Sequence, residues 1–166
     1  MIVNLRELAQ SDSPLELHGQ VSAEDTVAGR NDFKLAGPIE ASLTARSAEG
    51  TAVVYGVTSA ELELVCSRCL RETKERFEFS VTEMFTLQAE IAERDDDIHF
   101  VRDEIVDLAP YVREAFAVQL PMAAVCSEDC KGLCPECGAD RNTEACSCSQ
   151  ERVDPRLAGL KDFFKK

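Results

Sequence analysis

The sequence predicts an α+β fold: an antiparallel, β-rich core with one main helix, then a cysteine-rich module and a short C-terminal helix. Three observations predict it. Segments before residue 83 alternate apolar and polar residues, Leu108 to Leu120 repeats apolar residues at helical spacing, and six of the eight cysteines crowd between Cys126 and Cys148. The implied divisions are a core over 1–120 with its helix near 108–120, a Cys module over 121–150 and a helix over 151–166.

Leu15–Val21 alternates, and Ile39–Arg46 sets Ile39, Ala41, Leu43 and Ala45 on one face. Val53–Val57 reads as a third strand and Leu62–Val65 as another that runs into Cys66, while Arg76–Thr82 turns Phe77, Phe79 and Val81 one way. Period-2 patterning with one polar face indicates antiparallel strands, one side on a core and one wet. Glu49-Gly50-Thr51 and Arg30-Asn31-Asp32 supply turns. The acidic run from Glu90 to Asp107 reads as a solvated loop, because no ligand pattern surrounds Asp95-Asp96-Asp97. Ile98–Val101 adds a short strand. Asp107 is placed to cap a helix that starts at Leu108, tolerates Pro110 in its first turn and ends at Pro121. Leu108, Val112, Ala115, Phe116 and Leu120 form its buried stripe. Asp154-Pro155 opens a last amphipathic helix with Leu157, Leu160 and Phe164 on one side.

Composition narrows the function classes. No apolar run approaches the ~18 residues a membrane span needs, and Met1–Leu8 mixes charges into its apolar residues, unlike a signal peptide. The expectation is a cytoplasmic chain with no membrane partner and with reduced thiols. The net charge is −13, from 31 acidic and 18 basic residues. Eight thiolates with two bound dications would move it to roughly −17. Such a surface repels a phosphate backbone over most of its area, so any nucleic-acid contact has to be local. The sequence has no P-loop, GxGxxG or GxSxG, and neither His18 nor His99 has a partner at metal or catalytic spacing. A non-enzymatic protein without a small-molecule substrate is expected.

The cysteines carry the chemistry. Cys66-Ser-Arg-Cys69 stands alone upstream; Cys126-x3-Cys130, Cys134-x2-Cys137 and Cys146-x-Cys148 follow. Each short pair sets two sulfurs on one turn, half of a tetrahedral shell, and eight thiolates make two closed structural zinc sites. Four disulfides suit a secreted chain and not a reducing compartment. An iron–sulfur cluster also takes four thiolates and is not separated from zinc by spacing. Redox-active thiols are the third option, but the Cys66/Cys69 pair lies between strands instead of opening a helix, which favours a zinc knuckle at a hairpin tip. Cys134-Pro-Glu-Cys137-Gly138 is a second knuckle, its glycine free to turn left-handed. Two arrangements remain. Either Cys66, Cys69, Cys126 and Cys130 form site 1 with Cys134, Cys137, Cys146 and Cys148 as site 2, or Cys66/Cys69 joins Cys134/Cys137 and Cys126/Cys130 joins Cys146/Cys148. The first is preferred because short loops close at lower entropic cost. The tail module has too little apolar area to fold without metal.

Cys66-Ser-Arg-Cys69-Leu70, Leu120-Pro121, the run from Cys126 through Gly138, Asn142, Cys146-x-Cys148 and Asp154-Pro-Arg-Leu-Ala-Gly-Leu160 resemble the YceD family, the large ribosomal RNA subunit accumulation proteins. The resemblance covers essentially the whole chain, with the specific motifs in its second half. Ala124 departs from it, since many members have a proline just before the first cysteine of the cluster. The resemblance implies a part in ribosome biogenesis, with ribosomal RNA precursor or ribosomal proteins as partners, and names no mechanism.

Three readings follow for the mechanism. In the first, the basic island Arg68, Arg71, Lys74 and Arg76 meets RNA phosphates from the first knuckle, against the plainer reading of a solvated strand face. In the second, the acidic surface engages a basic ribosomal protein, with Asp95–Asp97 and the last helix as contacts. In the third, Cys66 and Cys69 act as a thiol redox pair.

Overall fold

The computed structural model describes residues 1–23 and 30–148. The helix expected after Asp154 lies outside the described residues.

Two long strands organise the domain. Strand β5 (Thr51–Val65) and strand β6 (Glu72–Thr86) pair antiparallel from Thr51↔Thr86 to Val65↔Glu72. Their far end is the turn that carries Cys66 and Cys69. Ahead of them, β1 (Ile2–Asn4), helix α1 (Leu5–Gln10), β2 (Leu15–Val21), β3 (Phe33–Leu35) and β4 (Ile39–Ala48) come in order. The main sheet runs β2-β4-β5-β6, and β3 pairs the distal end of β5 through Phe33↔Leu64. Glu49 and Gly50 close the β4–β5 hairpin at φ 51° and 80°, the left-handed pair that a tight two-residue turn needs. The two strands expected over Val53–Val57 and Leu62–Val65 are one strand. The intervening Thr58-Ser-Ala-Glu61 breaks the apolar alternation, yet Thr58 is buried and donates to the Phe79 carbonyl at 3.2 Å.

Helix α2 (Ala89–Ala92) and a turn holding Asp95–Asp97 lead to β7 (Ile98–Phe100), which joins the sheet beside β6. This pairing is parallel, contrary to the antiparallel pattern expected throughout, because the chain returns through α2 rather than a hairpin. Strand β8 (Ile105–Asp107) pairs separately with β1. Helix α3 (Ala109–Gln119) starts one residue later than expected: Leu108 takes the cap position in helical conformation, and the Asp107 carboxylate accepts from the Ala109 N–H at 3.0 Å.

One face of the sheet is buried. Ile39, Leu43, Val54, Leu62, Val81 and Phe85 are buried in one cluster with Leu5 and Leu8 of α1 and Val112 and Phe116 of α3. Phe116 meets Phe79 edge-on, with ring centroids 5.1 Å apart. Full burial of side chains of this size stabilises by about 1.5–3 kcal/mol each. Along α3 the apolar side chains recur every fourth residue, Leu108, Val112, Phe116 and Leu120, all buried. Packing fixes where α3 ends, and so delivers the following segment, Cys126 onward, to the tip of the β5–β6 hairpin.

Candidate metal centres

The cysteine-bearing turns are built alike. Leu70 N–H donates to the Cys66 carbonyl at 2.9 Å and Cys66 N–H to the Arg71 carbonyl at 2.9 Å. In the second turn Gly138 N–H donates to the Cys134 carbonyl at 2.9 Å and Cys134 N–H to the Ala139 carbonyl at 2.8 Å. The residue after the second cysteine is left-handed in both, with φ 59° at Leu70 and 74° at Gly138. Glycine takes that conformation without cost; leucine does not.

The structure brings Cys66, Cys69, Cys126 and Cys130 together, and Cys134, Cys137, Cys146 and Cys148 together, with all four sulfurs of each group within 4.8 Å of one another. This is the first of the two arrangements set out above. Cys66 and Cys130 sulfurs are 3.8 Å apart, Cys69 and Cys126 3.6 Å. Cys146 lies 3.4 Å from both Cys134 and Cys137. A disulfide would need about 2.05 Å, and all eight cysteines are free thiols. An ion with metal–sulfur bonds of about 2.3 Å at tetrahedral angles sets its sulfurs about 3.8 Å apart. Each quartet therefore fits one ion. A multi-iron cluster spreads its cysteines over several metals and spaces them more widely than sulfurs that share one.

Electrostatics favours a cation in both. Burial pushes the Cys66 thiol up, but backbone N–H groups of Cys126, Cys69 and Arg68 outweigh it and bring it down to about 6. Cys134, beside the N–H groups of Cys137 and Glu136, also sits at about 6. The cost falls on their neighbours: Cys126, crowded by Cys130 and Cys69, is pushed up to about 12, and Cys148, crowded by Cys146 and Cys137, likewise. Thiolates so close cannot all ionise unless a cation neutralises them. The first quartet is shielded, with Cys66, Cys69 and Cys130 buried against Val125 and Leu133. In the second, Cys134 is buried but Cys137 is exposed.

The two centres share a scaffold. Ser67 N–H donates to the Ala124 carbonyl at 2.8 Å, and Leu133 N–H to the Arg68 carbonyl at 2.9 Å. The Arg68 guanidinium donates to the carbonyls of Glu128 and Cys130, each at 3.0 Å. Arg68 thus ties the Cys126–Cys130 loop to the hairpin while staying an exposed residue. The rest of the basic island is ion-paired: Arg71 to Asp140 at 3.1 Å, Lys74 to Glu63 at 2.7 Å, Arg76 to Glu40 at 3.1 Å. Sequence reasoning missed Gly132, Asp140 and the left-handed Leu70. The Asp140-x-Asn142 spacing was a legible signal, since an aspartate two residues ahead favours the Asx turn seen here, with Asn142 N–H donating to Asp140 Oδ1 at 2.9 Å.

Fold and site together define a strand-rich α+β protein with two four-cysteine centres at one end of its longest hairpin. The chain belongs to the family described as large ribosomal RNA subunit accumulation protein YceD, whose model matches residues 54–164. It is 37% identical over 109 residues to the uncharacterized protein YlbN of Bacillus subtilis, a match covering 65% of this chain and 63% of that one. It is 31% identical over 129 residues to the uncharacterized protein Rv2926c of Mycobacterium tuberculosis, covering 76% and 62%. The chain therefore spans less than two thirds of the length of these relatives. A maize protein named large ribosomal RNA subunit accumulation protein YCED homolog 1, chloroplastic, is 38% identical over 73 residues, covering 43% of this chain and 25% of its own length. No solved structure matches. Among the described residues no helix is long and apolar enough to cross a membrane.

Proposed function

We propose that this protein is a non-enzymatic, zinc-binding factor of ribosome biogenesis that supports accumulation of large-subunit ribosomal RNA by contacting its precursor at the Cys66–Arg76 tip. Zinc is the metal because four thiolates at single-ion spacing form its usual closed structural shell. The ion does no chemistry on a substrate; it fixes turns that lack a core of their own. Neutral-pH cytoplasm, where thiols stay reduced, suits such sites.

One observation carries the RNA reading: the tip is hydrogen-bonded to the Ala124–Cys130 and Leu133 segments, yet presents Leu70 at 62% exposure and the Arg71, Lys74 and Arg76 side chains at 51%, 76% and 57%. A leucine kept left-handed and exposed where the twin turn has glycine supports a contact role at this point. Surface ion pairs of this kind contribute only ~0–1 kcal/mol, so phosphates can take over the cations. Those contacts position the protein without reading bases.

The family name supplies the ribosomal setting, and two experiments test the rest. Elemental analysis should give two zinc ions per chain, with loss of the folded signal after chelation. Affinity for a large-subunit ribosomal RNA precursor fragment, titrated against salt, should fall in an Arg71→Ala/Lys74→Ala/Arg76→Ala variant, with the slope flattened by roughly one per lost contact. An unchanged slope would sink the RNA contact.

A second reading, an acidic adaptor for a basic ribosomal protein, is favoured by the net charge of −13 and by the ion pairing of the island. Ribosomal proteins that stay bound after nuclease treatment support it; their release supports RNA. The thiol redox reading predicts reactive Cys66 and Cys69 without metal. Alkylation of those two thiols before chelation would revive it.

A further inference from the structure

Asn142 lies between the two cysteine pairs of the second quartet, yet its side chain serves the first. Its amide Nδ2 donates to the Cys130 sulfur at 3.5 Å, and its Oδ1 accepts from the Lys131 N–H at 2.8 Å. Nδ2 also donates to Asp140 Oδ1 at 2.7 Å. Asp140 in turn holds Arg71, the residue that closes the Cys66–Cys69 turn, and Leu133 bridges to Asp140 across the strand-like pair at the base of the loop. Bonds therefore run from the first turn through the second quartet's loop and back to a sulfur of the first quartet.

We propose that the two centres are energetically coupled through Asn142: an ion in the second quartet holds this amide against the Cys130 sulfur and so tightens metal binding in the first. The proposal rests on the reading that each quartet holds one zinc ion. The physical basis is simple. Four thiolates on one dication leave a net charge of −2, and an N–H directed at one sulfur draws off part of it. The donor sits on the loop between Cys137 and Cys146, whose two ends the second ion clamps. When that ion leaves, the amide is held only by hydrogen bonds: its own to Asp140 and Lys131, and the loop's backbone bonds, such as Arg141 N–H to the Gly132 carbonyl at 3.0 Å. Coupling of this kind is reciprocal: filling the first centre tightens the second by the same factor. Asn142 is a positioning residue, since it touches a ligand and not the metal.

Zinc-loaded full-length protein provides the test. Metal release to a colorimetric chelator is followed over time, and mass spectrometry of the alkylated cysteines reports which quartet has opened. Asn142→Asp keeps an acceptor for Lys131 N–H but removes the donor to sulfur. It is expected to weaken the first centre about 10- to 100-fold, the usual effect of losing an outer partner of a metal ligand. Cys146→Ser with Cys148→Ser, which empties the second quartet, is expected to weaken the first by a similar factor. Adding Asn142→Asp to that background should change little more, because the path is already broken. In cobalt-loaded protein Asn142→Asp should move the thiolate charge-transfer band to lower energy, a shift that a loss of packing alone does not give. Two ions bound with first-centre release unmoved in Asn142→Asp overturn the coupling and leave the zinc reading intact. A parent protein that binds no metal overturns both.

Discussion

Gly132 lies directly beneath the carbonyl of Arg68. Its φ is +70°, and a Cβ built on it would stand 2.8 Å from the Arg68 oxygen. The loop that links the two quartets is thus pressed onto the backbone of the first turn, where Leu133 N–H bonds to that same carbonyl. Only glycine meets both conditions, the left-handed backbone and the close approach.

Gly132→Ala is therefore expected to cost roughly 2 kcal/mol, from the left-handed penalty and the contact with a backbone atom that cannot rotate away. Chemical denaturation of the metal-loaded protein checks it, and both metals should also be released faster.

Leu70→Gly should act in the opposite direction on stability. The substitution removes a left-handed penalty of about 1–2 kcal/mol, against an entropic cost of roughly 0.5–1 kcal/mol for glycine. Leu70 is 62% exposed, so little burial is lost. The expected gain is up to ~1 kcal/mol, together with weaker RNA binding if the tip is the contact. A variant that is less stable would show that the leucine packs in the folded protein.

Gly56 sits at the centre of the sheet, where a Cβ would run into the Ser42 carbonyl and the Leu43 backbone on the neighbouring strand. Gly56→Ala is expected to lose about 1–3 kcal/mol, since the strands must part to admit it. Thermal unfolding measures the loss, and metal stoichiometry should hold at two because the centres lie at the far end of β5.

Asp32 is held below the usual carboxylate range, first by the Arg30 side chain bonded at 2.6 and 3.0 Å and then by its own backbone N–H. A depressed folded pKa means that the stabilisation is complete above the unfolded value, about 3.9, and fades as pH falls through the folded value. The stability gap between the parent and Asp32→Asn should be constant near neutrality and narrow below pH ~4. Acid release of metal affects both proteins alike, so the difference isolates the pair. A gap that widens in acid would contradict the sign.

The legible parts of this fold are those where one periodicity dominates. Leu108, Val112, Phe116 and Leu120 announce α3 because each is buried on one face, and Ile39 to Ala45 announce β4 by strict alternation. Alternation fails where burial is met by a hydrogen bond, as at Thr58, and β5 is then read as two pieces. Helix α1 is only 6 residues long, too short for a period, although Asn4 and Glu7 carry the capping signal: Asn4 Oδ1 accepts from Arg6 and Glu7 N–H, and its amide reaches Glu7. Spacing shows the short cysteine pairs, and loop length only prefers one of two ways to join them; the fold brings the quartets together. Their shared scaffold does not, because Gly132 under Arg68 and Asn142 beside Cys130 are contacts between turns that only tertiary packing creates.

The first quartet joins sulfurs 57 and 64 residues apart in the chain. On a translating ribosome adding about 5–20 residues per second, Cys66 and Cys69 would emerge as half of the proposed coordination shell roughly 3–12 s before their partners exist. During that interval the nascent hairpin is open to a competing cation or to oxidation, whereas the second quartet, encoded within one short stretch, completes almost as soon as it appears. Order of synthesis thus leaves the better-buried centre as the one more vulnerable at birth.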